Sequence, residues 1–216
     1  MKLYSNTVSD TLWQTLSRLM SFKQLQSFRL VGGTCLSLLL GHRMSVDIDL
    51  FTDTEYNSVD FDAIDRLFLD SFGYVEMGYG GNNSMGKTYF IGNNKNQTVK
   101  VDLFYTEPFV FPVILEQGLR LSCSEEVAAM KLEVIGNNGR KKDFWDIHEL
   151  LEHFSLNEML GFYAKRYPYS YSKQEIIQKL TDFKEAESDF EPVCLKSKYW
   201  ELIKLDIEET VKKIRL

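Results

Sequence analysis

The chain holds little that could cross-link it or chelate a soft metal: its 216 residues include three cysteines, three histidines and four prolines. Cys35, Cys123 and Cys194 are odd in number and far apart, and no short paired spacing joins them to His42, His148 or His153. That excludes a disulfide framework and a zinc-ligand pattern. No apolar run approaches the roughly 18 residues a spanning helix needs, and Met1-Lys2-Leu3-Tyr4-Ser5-Asn6 leads into no apolar signal segment. A cytoplasmic protein without membrane contact is expected. The N-x-[ST] tripeptides at Asn82 and Asn96 then have no secretory route and read as chance matches. Positive charge is also in deficit. Lys and Arg number 25 against 31 Asp and Glu, a formal net charge of −6, so nucleic acid is repelled overall and contact with it needs a local basic patch.

With 44% hydrophobic residues there is apolar material for one ordinary core or two small ones. Leu12, Trp13, Leu16, Leu19 and Met20 recur at helical spacing. A short strand, Phe28 to Val31, is broken by Gly32-Gly33-Thr34. Cys35 to Leu40 then suits a helix, and Val46 to Phe51 alternates with the period of a strand. Asp60 to Phe72 reads as an amphipathic helix stopped by Gly73. Strands are expected at Tyr74 to Met77, Lys87 to Ile91 and Thr98 to Tyr105, the first two as a hairpin. Beyond Pro108 and Pro112 the pattern is helical: Ser124 to Ile135, Phe144 to Phe154, Leu156 to Tyr167, Lys173 to Ala186, and Lys198 to the end. The fold class is α+β, a mixed sheet before a helical tail, with a boundary between Glu107 and Leu121.

One motif is a decoy. Gly81 to Thr88 matches the phosphate-loop pattern G-x-x-x-x-G-K-[ST] letter for letter, but that loop works by aiming the amides of a following helix at phosphate. Here Tyr89-Phe90-Ile91 continues as a strand, so a hairpin turn with a surface Lys87 is expected. The informative set is Gly32-Gly33-Thr34, Asp47-Ile48-Asp49 and Asp102. Strand side chains alternate, so Asp47 and Asp49 share a face while Ile48 turns inward. Two carboxylates in one small volume repel unless a cation neutralises them, and hard oxygen ligands suit Mg²⁺ bridging to phosphates. Asp102 becomes a third if its strand lies beside that of Asp49; three such carboxylates suffice for two metal ions. Gly32 and Gly33 let backbone amides approach phosphate closely, with the Thr34 hydroxyl as a further donor. Read separately, Gly-Gly-Thr is an ordinary turn and Asp-x-Asp an exposed strand face; their conjunction in one strand-turn-helix-strand unit favours function.

The stretch LVGGTCLSLLLGHRMSVDIDLF, with EEVAAMKLEVIGNNGRKKDFWDIHELL further on, resembles the AbiEii/AbiGii toxin family of the DNA polymerase β-like nucleotidyltransferase superfamily. The resemblance covers most of residues 28 to 151. It implies a nucleotidyltransferase domain over residues 1–115 with flanking helices, and a helical C-terminal region over 116–216. It further implies metal ligands Asp47, Asp49 and Asp102, holding Mg²⁺ or Mn²⁺. Nucleotide contacts fall at Gly32, Gly33, Thr34, Arg43, Ser45 and Lys131. A supporting acid falls at Asp143 or Asp146, with Asp143 assigned to nucleotide binding and Asp146, like Lys131, to catalysis. The activity implied is transfer of a nucleoside monophosphate from a nucleoside triphosphate to a hydroxyl acceptor, RNA by preference, as the toxin of a two-gene system with a cognate antitoxin. Cys35, in place of the usual alanine, and Lys142, in place of arginine, depart from the family pattern. On residue type alone, Lys131 beside Glu126 and Glu133 reads as a solvated helix-face cation, and Arg140-Lys141-Lys142 reads equally as a solvated turn or an acceptor patch. A non-catalytic nucleotide-binding regulator and an antibiotic-modifying transferase are the alternatives.

Overall fold

The computed structural model describes residues 2–214. In chain order its elements are α1 (Asp10–Ser21), β1 (Arg29–Leu30), α2 (Gly32–Leu40), β2 (Asp47–Thr52), α3 (Phe61–Ser71), β3 (Tyr74–Gly80), β4 (Gly86–Asn94), β5 (Gln97–Tyr105), β6 (Val113–Glu116) and β7 (Leu119–Ser122). The helices α4 (Ser124–Gly136), α5 (Lys141–Leu150), α6 (Leu156–Arg166), α7 (Lys173–Lys179), α8 (Lys184–Glu187) and α9 (Trp200–Lys212) follow. Local chemistry sets several starts. Ser9 and Asp60 accept from the amides of Leu12 and Ala63 to cap α1 and α3, and reciprocal Ser155–Glu158 and Ser172–Glu175 boxes open α6 and α7. Gly41, at φ 69°, ends α2 in the left-handed region that costs glycine least.

The strands form one mixed sheet in the order β3-β4-β5-β2-β1-β7-β6. β2 is antiparallel to β1 and parallel to β5, and the long crossover a parallel pair requires is supplied by α3 and the β3–β4 hairpin. Ile48, Leu50, Val99, Val101 and Leu103 are fully or nearly fully buried on one face, and α1, whose Leu12 and Leu16 are buried in the same core, packs on β2 and β5. Phe68 of α3 meets Tyr89 of β4 at 4.9 Å between ring centroids. Burial of each such large apolar side chain contributes on the order of 1.5–3 kcal/mol. The opposite face of the central strands carries Asp47, Asp49, Phe51, Lys100, Asp102 and Phe104, all partly accessible.

Several expectations change. Helix α2 begins at Gly32 itself rather than after Thr34. The Lys173 to Ala186 segment is two short helices, and the final residues of the expected last helix, 215–216, lie outside the described ones. The unforeseen β6–β7 hairpin extends the sheet to Ser122, straddling the expected 115/116 boundary, because Gln117 and Gly118 both adopt positive φ (50° and 79°). Such a pair closes a two-residue hairpin, and glutamine there gives no sequence signal. Lys87 is not on the surface. The residue is 8% exposed, and its ammonium is 2.6 Å from Asp65 Oδ2. The phosphate-loop decoy is indeed a β3–β4 turn.

Buried charge ties the helices to the sheet. Arg166 of α6 pairs with Glu126 of α4, and Glu126 Oε2 accepts from the amides of Val110 and Phe111 at 3.2 and 2.8 Å. Arg166 also donates to Thr106 Oγ1 at 2.9 Å and to the Pro108 carbonyl at 3.2 Å. The whole connecting segment is thereby pinned between the sheet and the helices.

Candidate active site

Register places the carboxylates. Asp49 pairs directly with Asp102 across β2 and β5, and Asp47 pairs with Lys100. The same row continues onto β4, where Thr88 opposes Asp102. All lie on the accessible face, as period-two alternation requires. Asp49 carries the electrostatic burden: burial, then Asp102 and Asp47, push its carboxyl up to about 6, against the pull of Lys131 and Lys142. Negative charge here is under-compensated, and the donors are hard oxygens, so the set fits a divalent cation. A preassembled cage is absent: among the described residues no group of three His, Cys, Asp or Glu side chains is poised around one point. Asp102 is engaged by its neighbours: its Oδ1 accepts from Thr88 Oγ1 at 2.7 Å and its Oδ2 accepts from Lys100 Nζ at 2.5 Å.

A cleft of about 290 Å³ opens beside Asp49, lined by Gly32, Gly33, Phe51, Met130, Lys131, Lys142 and their neighbours. Its floor is the start of α2, where Gly32 sits at φ 68°. A Cβ there would lie 2.7 Å from Asp49 Oδ2, and one on Gly33 would lie 2.3 Å from Arg43 Nη2. Both glycines are therefore fixed by close approach, and the α2 amides and positive helix end face the cleft. Gly32→Ala is expected to cost about 1–2 kcal/mol in backbone strain alone and to displace the Asp49 carboxylate. The check is a melting curve beside nucleotide affinity, and an unchanged affinity would contradict the close-approach argument. A larger groove of about 470 Å³ on α1, around Trp13 and Arg18, shares no residue with the carboxylate site.

The remaining expected residues divide sharply. Lys131 lines the cleft, yet is 5% exposed, with Nζ 2.6 Å from Asp143 Oδ1 and 2.7 Å from Asp146 Oδ2. The solvated-cation reading is overturned. Asp143 also lines the cleft and caps α5 through the Arg140 amide. Thr34, Arg43, Ser45 and Asp146 face inward instead. The Thr34 hydroxyl is buried against the Asp47 carbonyl and Ser45 Oγ, so it fixes the loop before β2 and offers no donor to the cleft. Arg43 forks onto Asp146, Nε to Oδ1 at 2.7 Å and Nη2 to Oδ2 at 2.8 Å. His42 Nε2 lies 2.7 Å from the same Oδ1. Asp146, fully buried, is thus a hub joining the segment between α2 and β2 to α4 and α5.

The basic run is split by helical geometry, since successive residues project about 100° apart. Lys141 is buried, donating to the Glu187 carbonyl at 3.3 Å, so it leaves the expected acceptor patch. Lys142 turns to the cleft, 3.7 Å from Asp47 Oδ2; burial and the neighbouring Arg140 lower its ammonium against the pull of Asp47. Arg140 stays exposed at the rim. Sequence reasoning missed Thr88, hidden in the decoy motif, and Lys100. Alternation on β5, which puts Lys100, Asp102 and Phe104 on one face, was the available signal.

Residues 14–213 match the family described as "Nucleotidyl transferase AbiEii toxin, Type IV TA system". The chain belongs to the AbiEii nucleotidyltransferase toxin family. A curated relative, an uncharacterized protein of Aquifex aeolicus (strain VF5), is 27% identical over 212 residues, covering 93% of this chain and 92% of that protein. Among solved structures, the nucleotidyltransferase toxin MenT4 of Mycobacterium tuberculosis H37Rv aligns with a TM-score of 0.61 at 13% identity, over 94% of this chain and 84% of its own. JHP933 from Helicobacter pylori aligns with a TM-score of 0.57 at 18% identity, over 92% and 88%. These two likenesses show a shared fold along nearly the whole chain. No described helix of this nucleotidyltransferase is long and apolar enough to cross a membrane.

Proposed function

We propose that this AbiEii-family enzyme transfers a nucleoside monophosphate from a nucleoside triphosphate to an RNA hydroxyl, with Mg²⁺ or Mn²⁺ held by Asp47 and Asp49 and with Asp102 completing the set. The observation that carries the reading is the in-register Asp49–Asp102 pair, with Asp49 set against the glycine start of α2. The bound cation would supply charge neutralisation at the phosphates. The α2 amides, Lys142 and Lys131 bind the triphosphate, and the apolar wall of Phe51, Met130 and Val134 offers a base a surface. Asp102 takes the proton of the acceptor hydroxyl as its oxygen bonds to the α-phosphorus. The bond from that phosphorus to pyrophosphate breaks on the opposite side.

An RNA acceptor is supported by the sheet's open face. Phe90 opposes Lys100, and Phe104 lies beside Phe51 with ring centroids 6.2 Å apart, so aromatic side chains flank the carboxylate row on both sides. Bases stack on such platforms with little sequence preference. With Lys141 withdrawn, Arg140 is the rim cation left to meet a backbone phosphate. A cognate antitoxin, expected from the family, completes the proposal. The test incubates the protein with each labelled triphosphate, Mg²⁺ and total cellular RNA. Label covalently attached to RNA is expected, and Asp102→Asn should abolish it. Label found only on a small molecule, with all four nucleotides, would overturn the RNA acceptor and leave transferase chemistry standing.

A further inference from the structure

Lys100 stands two residues before Asp102 on β5, on the same face, and opposite Asp47 in the register. Its ammonium bonds Asp102 Oδ2 at 2.5 Å while Thr88 Oγ1 holds Oδ1 at 2.7 Å, so both oxygens of the carboxylate are engaged. The Lys100 side chain is nevertheless 41% exposed against 16% for Asp102. The two donors differ in kind. Thr88 is neutral, carried on the neighbouring strand, and orients the carboxylate whatever else binds it. Lys100 is a full positive charge on a flexible stem, placed where a divalent cation at Asp102 would sit or be repelled.

We propose that Lys100 is a built-in counter-cation that keeps Asp102 closed to metal, so that the carboxylate row loads in order. Asp47 and Asp49 take a cation first, and Asp102 takes one only after a phosphate has drawn Lys100 away. The proposal rests on the metal-dependent reading above. It accounts for the absence of a ready three-carboxylate cage among the described residues. An ion pair this accessible is weak, so displacement is within reach of a bound phosphate. Lys142 stands in a looser version of the same relation to Asp47, at 3.7 Å, and there the carboxylate is 35% exposed.

Removal of the charge should therefore tighten metal binding, the reverse of the usual effect of mutating an active-site lysine. Mn²⁺ alone, followed by electron paramagnetic resonance on the full chain at low salt, is the probe. Lys100→Met, and Lys100→Gln as a second neutral variant, are expected to bind Mn²⁺ about tenfold tighter than the parent or to take up an additional ion. Lys100→Arg should behave as the parent, and adding Asp102→Asn to Lys100→Met should erase the gain. Melting curves establish that each variant is folded. Neutral variants that neither bind tighter nor take up an additional ion, or a gain that survives Asp102→Asn, overturn the proposal. Where the parent's binding is also lost in Asp47→Asn, that failure leaves the metal-dependent reading intact. If neither parent nor neutral variants bind Mn²⁺, both fall together.

Discussion

Asp146→Asn is expected to lower the melting temperature by about 6–20 °C at neutral pH. The carboxylate is fully buried and receives Arg43, Lys131 and His42. Replacing it leaves the buried Arg43 guanidinium without its ion-pair partner and Lys131 with Asp143 alone, at a cost on the order of 3–5 kcal/mol. In a domain of this size each kcal/mol corresponds to roughly 2–4 °C. The pH dependence carries a second signature. Burial alone would raise the Asp146 carboxyl, but Arg43, Lys131 and the bonds from His42 and Arg43 outweigh it and hold the group well below 3.8. A depressed carboxyl contributes its stability above the unfolded value, near 3.9, and loses it as pH falls through the folded one. The difference between parent and variant should therefore be full from pH 5 to 8 and shrink only in strong acid. Melting curves across pH 3–8 decide it; a variant that melts with the parent at pH 7 would reduce the hub to a bystander.

How much of this was legible depends on the range of the interaction. Asp47, Asp49 and Asp102 could be placed on faces from alternation alone, because β2 and β5 obey it along their lengths. Their adjacency could not, since it is decided by the β2–β5 register across a crossover of some fifty residues. The Asp146 hub joins residues more than 100 positions apart, so His42 and Arg43 carried no local sign of it. Resemblance supplied Lys131, Asp143 and Asp146 as names, and the structure separates them into cleft wall and buried support. The Arg140-Lys141-Lys142 run misled for the opposite reason. A linear patch is not a surface patch once the residues enter a helix, and Lys141 is spent on α8 and on the Trp200 ring, 5.3 Å away. The decoy loop reverses the lesson: its helix is missing, as the following strand pattern required, yet its Thr88 reaches the site through the β4–β5 register.

Asp49→Asn should separate function from stability most sharply, with transfer falling at least about 10²–10³-fold while the protein becomes harder to melt. Loss of activity follows from removing a charge that faces the cleft between Asp47 and Asp102; comparable electrostatic contributions in active sites are of this size. The stability gain follows from the same charge. Burial, Asp102 and Asp47 raise the folded-state carboxyl to about 6 from an ordinary 3.8. A group raised in this way favours the folded state only when protonated. It opposes folding fully above pH 6, and the opposition disappears below about 3.8. At pH 7.5 the gap corresponds to on the order of 2–3 kcal/mol, which an uncharged amide of the same shape does not incur. The variant's advantage should therefore shrink as pH is lowered from 7.5 to 5. Added Mg²⁺ should also shrink it, because a cation that neutralises Asp49 stabilises the parent and has less to bind in the variant. Paired melting curves at pH 5 and 7.5, with and without Mg²⁺, alongside the transfer assay, test both halves. A variant that is inactive but melts below the parent at pH 7.5 would show that Asp49 is held by partners in the fold rather than left under-compensated for a cation, and the metal-dependent reading would lose its electrostatic basis.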